Sequence, residues 1–358
     1  MADLETIRAL FSSGRHQDCI QACQTALQSN PHEATAFKYA GKSLLALGQI
    51  EQAQNLLIKA HQLDSQDPET AKDIGNCLLS AGKHEEAANA YLKALEIDPE
   101  YAPAINNLGG IAQQRGQHEE ALRLFLKAHS LDSSLIQASL GAAQSAIAIG
   151  SWDIAIRCCD QALKSNEGQP GTNLLKGIAL QNKGEAVEAL RAYENERNIN
   201  PAAADAYVNA SIIHLQMGNP QGCSDVLTRL LAFKPDHNNG RLILAQAEQK
   251  LGRWEEAVKN YQSAAFDENV NAMIPFNLGL CLLELKRDQD AFHAFTHATT
   301  RDPNLAAAWG NIGNHLKNSG DLQRALDAYR RVLGIDPNNG MALDAIADIR
   351  RQEGKTDE

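Results

Sequence analysis

The fold this chain predicts is an all-α solenoid of stacked helical hairpins, and three periodic features predict it. Glycine recurs every thirty-four residues at Gly14, Gly48, Gly82, Gly116, Gly150, Gly184, Gly218, Gly252, Gly320 and Gly354, with Lys286 the single gap. A second lattice of the same period holds only small residues: Gly41, Gly75, Gly109, Ala143, Gly177, Ser211, Ala245, Gly279, Gly313 and Ala347. A third is alanine at Ala53, Ala87, Ala121, Ala155, Ala189, Ala257, Ala291 and Ala325, with Cys19 and Cys223 in the two remaining places. Self-similarity at a fixed period of this size marks a repeat array.

The frame divides residues 1–339 into ten units, 1–33, 34–67, 68–101, 102–135, 136–169, 170–203, 204–237, 238–271, 272–305 and 306–339, followed by 340–358. In the third unit, Ala71, Ile74, Gly75 and Leu78 recur at helical spacing and give a first helix (A) its packing stripe. Gly82 supplies the turn. Glu85 and Glu86 open a second helix (B), where they complement its dipole. Ala87, Tyr91 and Ala94 form the inner stripe of that helix, and Pro99 blocks its continuation. Gly75 is expected to admit Ala87 closely, with Tyr91 wedged against the next unit. Pro31, Pro201, Pro235, Pro303 and Pro337 close other units as Pro99 does. Each helix alone is marginal, so packing between neighbours must supply the stability. The first unit carries Ile7 where a small residue is expected, as suits a terminal cap. Ser165 to Gly171 is rich in turn formers and reads as a longer loop or, more sharply, as a hinge. Met341, Leu343, Ile346, Ala347 and Ile349 give 340–358 a capping helix, with a frayed tail from Gly354 to Glu358.

Composition narrows the function. The chain has 358 residues, 44% of them hydrophobic and 5% aromatic, and a net charge of −11. That charge, with no basic stripe, argues against nucleic acid and anionic membranes. No apolar run approaches the roughly 20 residues of a membrane helix. Acidic residues near the N-terminus leave no room for a signal peptide, and the seven cysteines form no CxxC pair, so a reducing cytoplasm is expected. No phosphate loop, HExxH or GxSxG pattern is present. His293 and His297 stand one helical turn apart, a spacing for two metal ligands, but no third ligand joins them and a solvated face is the plainer reading. Cys19, Cys23, Cys77, Cys158, Cys159, Cys223 and Cys281 occupy packing slots, and His214 reads as a packed histidine. No catalytic residue, cofactor or metal is expected.

The tenth unit shows the aromatic, Leu-Gly-like, Tyr, Ala and Pro pattern well, in Trp309, Ile312, Gly313, Leu316, Ala325, Tyr329 and Pro337. The pattern resembles the tetratricopeptide-repeat family and spans nearly the whole chain. The resemblance implies a right-handed superhelix whose A helices line a concave groove that takes extended peptides or helices. By helical phase, three zones of that groove follow. The first is basic and amide-rich: Lys38, Lys42, Lys72, Asn76, Asn106 and Asn107. It resembles part of the carboxylate clamp of co-chaperone domains, with Lys72, Asn76 and Asn107 matching, Gln137 and Gly141 standing where a lysine and an arginine belong, and Asp73 adding a negative charge. The second is apolar: Leu140, Ile147, Leu174, Leu175, Ile178, Val208, Ile212, Leu215, Leu242, Ile243, Met273, Phe276, Leu280 and Leu283. Apolar residues in such number on an open face mark either an interaction site or seam packing. The third, Asn277, Asn311, Asn314, Lys317 and Asn318, resembles a short piece of the asparagine ladder in O-linked N-acetylglucosamine transferases. Asn209 shares the phase of Asn107. A non-enzymatic scaffold or adaptor that binds a partner's peptide or amphipathic helix is the expectation. The alternatives are the targeting arm of a glycosyltransferase- or sulfotransferase-type complex, or a self-assembling scaffold forming homo-oligomers.

Overall fold

The computed structural model describes residues 3–264, 271–352 and 354. Of the tail expected from Gly354 to Glu358, all but Gly354 lies outside them, as do residues 265–270 of the eighth unit. Among the described residues there are twenty-one helices and no strand. The chain forms two compact units, Met1–Ala192 and Tyr193–Glu358.

The first unit holds α1 (Leu4–Ser12), α2 (His16–Ser29), α3 (Ala34–Ala46), α4 (Ile50–Leu63), α5 (Pro68–Ser80), α6 (His84–Ile97), α7 (Ala102–Gln114), α8 (His118–Leu131), α9 (Ile136–Ala148), α10 (Trp152–Ser165) and α11 (Thr172–Lys183). The boundary between units falls inside α12 (Ala186–Ile199). The second holds α13 (Ala204–Gln216), α14 (Pro220–Phe233), α15 (Asn238–Lys250), α16 (Trp254–Ala264), α17 (Met273–Glu284), α18 (Asp288–Arg301), α19 (Ala306–Asn318), α20 (Leu322–Ile335) and α21 (Gly340–Gln352). Odd-numbered helices from α1 to α19 are A helices and even-numbered ones B helices. The segment 165–171 joins α10 to α11.

Within each unit an A helix packs on the B helix of its hairpin, and that B helix packs on the next A helix, as in α7, α8 and α9. Successive A helices also touch, at α1 and α3, α3 and α5, α7 and α9, and α9 and α11 in the first unit and at α13 and α15 in the second. These A helices therefore share a face within their unit.

Two local devices set the hairpin. The A-to-B turn needs a left-handed residue, and the glycine lattice supplies it, from Gly14 at φ 73° to Gly184 at φ 91°. Lys286, the gap in that lattice, adopts the same conformation at φ 59°. The B-to-A turn is an Asx turn. Asp98 Oδ1 accepts from Glu100 N at 3.0 Å, and Asn30, Asp64, Asp132, Asn166, Asn200, Asp302 and Asp336 do likewise two residues on. This lattice stops the B helix one residue before the proline slot, so the prolines reinforce a stop already made.

The tightest contact of the hairpin seam is with the large residue of the B helix. A Cβ on Gly75 would first strike the ring of Tyr91, and Gly313 and Tyr329 repeat the relation with a closest approach of 2.7 Å, while at Gly41 the backbone of the lattice alanine Ala53 also lies 3.1 Å away. The small residue on A makes room for the large residue on B of the same hairpin. Phe125 meets glycine on both sides, since Cβ atoms on Gly109 and Gly141 would stand 3.0 and 2.5 Å from its ring. Tyr91, Tyr193, Tyr261 and Phe295 are at most 1% exposed. Burying an apolar side chain of this size stabilises by about 1.5–3 kcal/mol.

Candidate functional site

The lysines of the first zone are charge-balanced within the chain. Lys38 Nζ lies 2.9 Å from Asp67 Oδ2 and 2.8 Å from Glu69 Oε2. Lys42 binds the other oxygen of Glu69, and Lys72 binds Asp73 Oδ1. Lys42 Nζ also stands over the rings of Phe11 and Tyr39, 4.8 and 5.3 Å from their centroids. Burial alone would raise the Glu69 carboxyl, but the hydrogen bonds from Lys38 and Lys42 outweigh it and bring it down to about 2. Asp73 is 3% exposed, and burial dominates there: its carboxyl is raised despite Lys72. The zone read as basic thus carries three acids against its three lysines. In the third zone, Lys317 likewise pairs with Asp348 at 3.3 Å.

The asparagines are also engaged. Tyr91 Oη donates to Asn76 Oδ1 at 2.8 Å, and Asn107 Nδ2 donates to the same oxygen at 2.9 Å. Asn76 Nδ2 in turn donates to Asp73 at 3.2 Å. Tyr193 hydrogen-bonds Asn209, Tyr261 hydrogen-bonds Asn277, and Tyr329 Oη donates to Asn314 Oδ1 at 2.8 Å. Asn311 donates to its own helix at Ala307 O, 2.9 Å away. An asparagine stands sixteen residues after Tyr91, Tyr193 and Tyr261, and also after Phe295, where Asn311 has no hydroxyl to meet and bonds its own helix. Leu175 and Ile243 take the same slot after Cys159 and Leu227, where there is no hydroxyl to bind.

The apolar zone divides between the two units. Leu174 and Ile178, in the first, are half-buried. In the second, Val208 is 8% exposed, a packed residue, while Ile212, Leu215 and Phe276 are half-buried. Phe276 packs on the ring of Phe295 with centroids 5.7 Å apart.

The structure brings Asn76, Asn106, Asn107, Gln137, Leu140 and Gly141, which the sequence reading named, together with Gln113, Gln114 and Gln144, which it did not, in a cleft on the A-helix face of the first unit, between α5, α7 and α9. It encloses about 320 Å³ and is lined by Asn76, Leu79, Asn106, Asn107, Gly110, Gln113, Gln114, Phe125, Gln137, Leu140, Gly141 and Gln144. Seven of the twelve are amides and none is charged. Gln113 Nε2 donates to Gln144 Oε1 at 3.3 Å, and Asn106 donates to Asn107 at 3.2 Å. The Asn106 Oδ1 is buried with no hydrogen-bond partner among the described residues. Amides offer a donor and an acceptor each, which matches a polypeptide main chain better than an ion. The sequence signal is glutamine on one helical face of α7 and α9, at Gln114, Gln137 and Gln144.

Among the described residues no group of three His, Cys, Asp or Glu side chains is placed to hold a metal ion. His293 is exposed, with Nε2 3.2 Å from Gln289 Nε2. All seven cysteines are free and buried, and burial pushes the Cys77, Cys223 and Cys281 thiols up to about 11, far from the reactive thiolate range. No described helix is long and apolar enough to cross a membrane.

Tetratricopeptide-repeat family models match residues 10–72, 104–131, 242–306 and 306–339, and a TPR-repeat model matches 75–112, together more than half of the chain. The chain is 26% identical over 244 residues to tetratricopeptide repeat protein 37 of Xenopus laevis, covering 60% of this chain and 15% of that protein. It is 23% identical over 192 residues to tetratricopeptide repeat protein 8 of Caenorhabditis elegans, covering 52% and 38%. It thus spans well under half the length of these relatives. Among solved structures, PilF of Pseudomonas aeruginosa matches with a TM-score of 0.52 at 20% identity, over 60% of this chain and 97% of that one, a likeness of fold.

Proposed function

Since the chain belongs to the tetratricopeptide-repeat family, whose repeats mediate protein–protein interactions, we propose that it is a scaffold or adaptor that holds a segment of a partner protein against its A-helix face. The observation that carries the reading is the amide-lined cleft between α5, α7 and α9. It is open, uncharged and rich in paired donors and acceptors, the properties a site needs to grip a main chain whatever its side chains. In the second unit, the half-buried Ile212 and Leu215 of α13 offer apolar side chains for a separate contact with a partner. Lys38 and Lys42 tie α3 to the start of α5 by pairing with Asp67 and Glu69, and Lys72 pairs with Asp73 on its own helix, so an acidic peptide would have to displace those partners before gaining their charge. This favours a partner recognised by shape and hydrogen bonding.

Affinity capture from native extract, read by mass spectrometry, tests the reading. Gln114→Glu with Gln144→Glu alters the cleft, and Ile212→Glu with Leu215→Glu alters the apolar face. Leu92→Glu with Leu126→Glu alters exposed positions on B helices, 49% and 37% accessible. A partner kept by wild type and the B-helix variant but lost from either A-helix variant supports the proposal. Equal capture by all four proteins rejects it.

A further inference from the structure

Gly110 sits in the interior of α7, where glycine costs helix stability relative to alanine. The neighbouring Gly109 has a structural reason: a side chain there would strike the ring of Phe125 at 3.0 Å. Gly110 has none. A Cβ built on it meets no atom within 4 Å, and its φ is not left-handed. The fold would accept alanine, or a larger side chain, at this position. What the missing side chain does is leave bare backbone in the lining of the amide-lined cleft.

Asn106, Gln113, Gln114, Gln137 and Gln144 line the same cleft. Nothing charged lines the cleft. At its α5 end, Asn76 leads to Asp73, whose charge is already met by Lys72. A ligand carboxylate or ammonium entering here would lose water and find no opposite charge free to receive it, which is costly. A peptide group loses water and finds amides that donate and accept. With no Cβ in the way, its main chain can approach the α7 backbone closely, a use to which glycine is suited.

We propose that Gly110 and the surrounding amides form a specificity site for an extended, uncharged segment of a partner protein, small-residued where it crosses Gly110 and carrying amide or hydroxyl side chains on either side. The proposal rests on the protein-binding reading above and narrows it to a class of sequence. Its chemistry excludes acidic and basic motifs from the cleft.

The test is selection of a random octapeptide library, acetylated and amidated at its ends, on the immobilised full chain, followed by titration of the best peptides against wild type, Gly110→Ala and Gly110→Leu. The expected peptides carry Asn, Gln, Ser, Thr or Gly at their central positions and are depleted of Asp, Glu, Lys and Arg. Gly110→Leu is expected to weaken them at least tenfold and Gly110→Ala by less, while both variants keep a thermal midpoint equal to or above that of wild type. Retained folding separates a blocked site from a damaged protein. Selected peptides that are charged, or that bind Gly110→Leu as well as wild type, overturn this inference while leaving the protein-binding reading intact. Recovery of no peptide by wild type overturns both.

Discussion

Residue by residue, the repeat is governed by what stands at the large position of each B helix. Where it is a tyrosine, burial pushes the phenol up, to about 12 at Tyr91, and the hydroxyl needs a partner. Asn76, Gln249 and Asn314 accept the proton of Tyr91, Tyr261 and Tyr329 from the A helix of the same hairpin, and Asn107, Asn209 and Asn277 of the following A helix add a second contact to Tyr91, Tyr193 and Tyr261. A double-mutant cycle of Tyr193→Phe with Asn209→Ala should return a coupling of about 1 kcal/mol in urea denaturation; additive losses would break the link. The two lattices were both legible in the sequence, but a side-chain amide on a groove-facing phase looks the same whether it serves a ligand or a neighbour. Charge poses the same problem. Lys38, Lys42 and Lys72 read as a basic patch because their acids, Asp67, Glu69 and Asp73, sit on the same or the next A helix, and only the structure closes the pairs. The Glu69 carboxyl, held at about 2 against 4.5 in the unfolded chain, stabilises the fold above the unfolded value. That contribution is lost as pH falls toward the folded value. Wild type should therefore exceed Glu69→Gln in stability by about 1–2 kcal/mol at neutral pH after allowance for solvent screening, with the gap closing between about pH 5 and pH 2. A gap that widens on acidification would refute the pairing.

At the scale of the element, the hairpin was the most legible feature, because its turn leaves a chemical mark. Ten A-to-B turns show a left-handed residue on one lattice, nine of them glycine. Lys286 pays for its place in that set, since a side chain in the left-handed region costs about 1–2 kcal/mol. Lys286→Gly should accordingly raise stability by about 1 kcal/mol, seen as a higher thermal midpoint. Gly313→Ala should act in the opposite direction, because its Cβ would enter the ring of Tyr329 at 2.7 Å. If both changes proved neutral, neither the turn nor the seam would be as described. The B-helix stop was less legible. Proline drew attention as a helix breaker, whereas Asn30, Asp64, Asp98 and their equivalents make the turn with a side-chain oxygen, a role that Asx residues share with many others in loops.

For the whole molecule, a period that runs unbroken gives each hairpin the same kind of neighbours and so conceals where the chain divides. The boundary inside α12, after Ala192, has no glycine or proline cluster to announce it. The amide-lined cleft was concealed for a related reason: it is assembled from α5, α7 and α9, which no single repeat contains. Membership of the family leads to protein binding as the function, and the cleft is the location we propose for it. Site-specific photo-crosslinking during capture from native extract tests that location most directly. A benzophenone amino acid would replace Gln114 or Gln137 at the cleft, and Leu92 or Leu126 on exposed B-helix positions. The account predicts covalent adducts to one partner from the cleft positions and none from the B-helix positions. Adducts from Leu92 and Leu126 alone would contradict it.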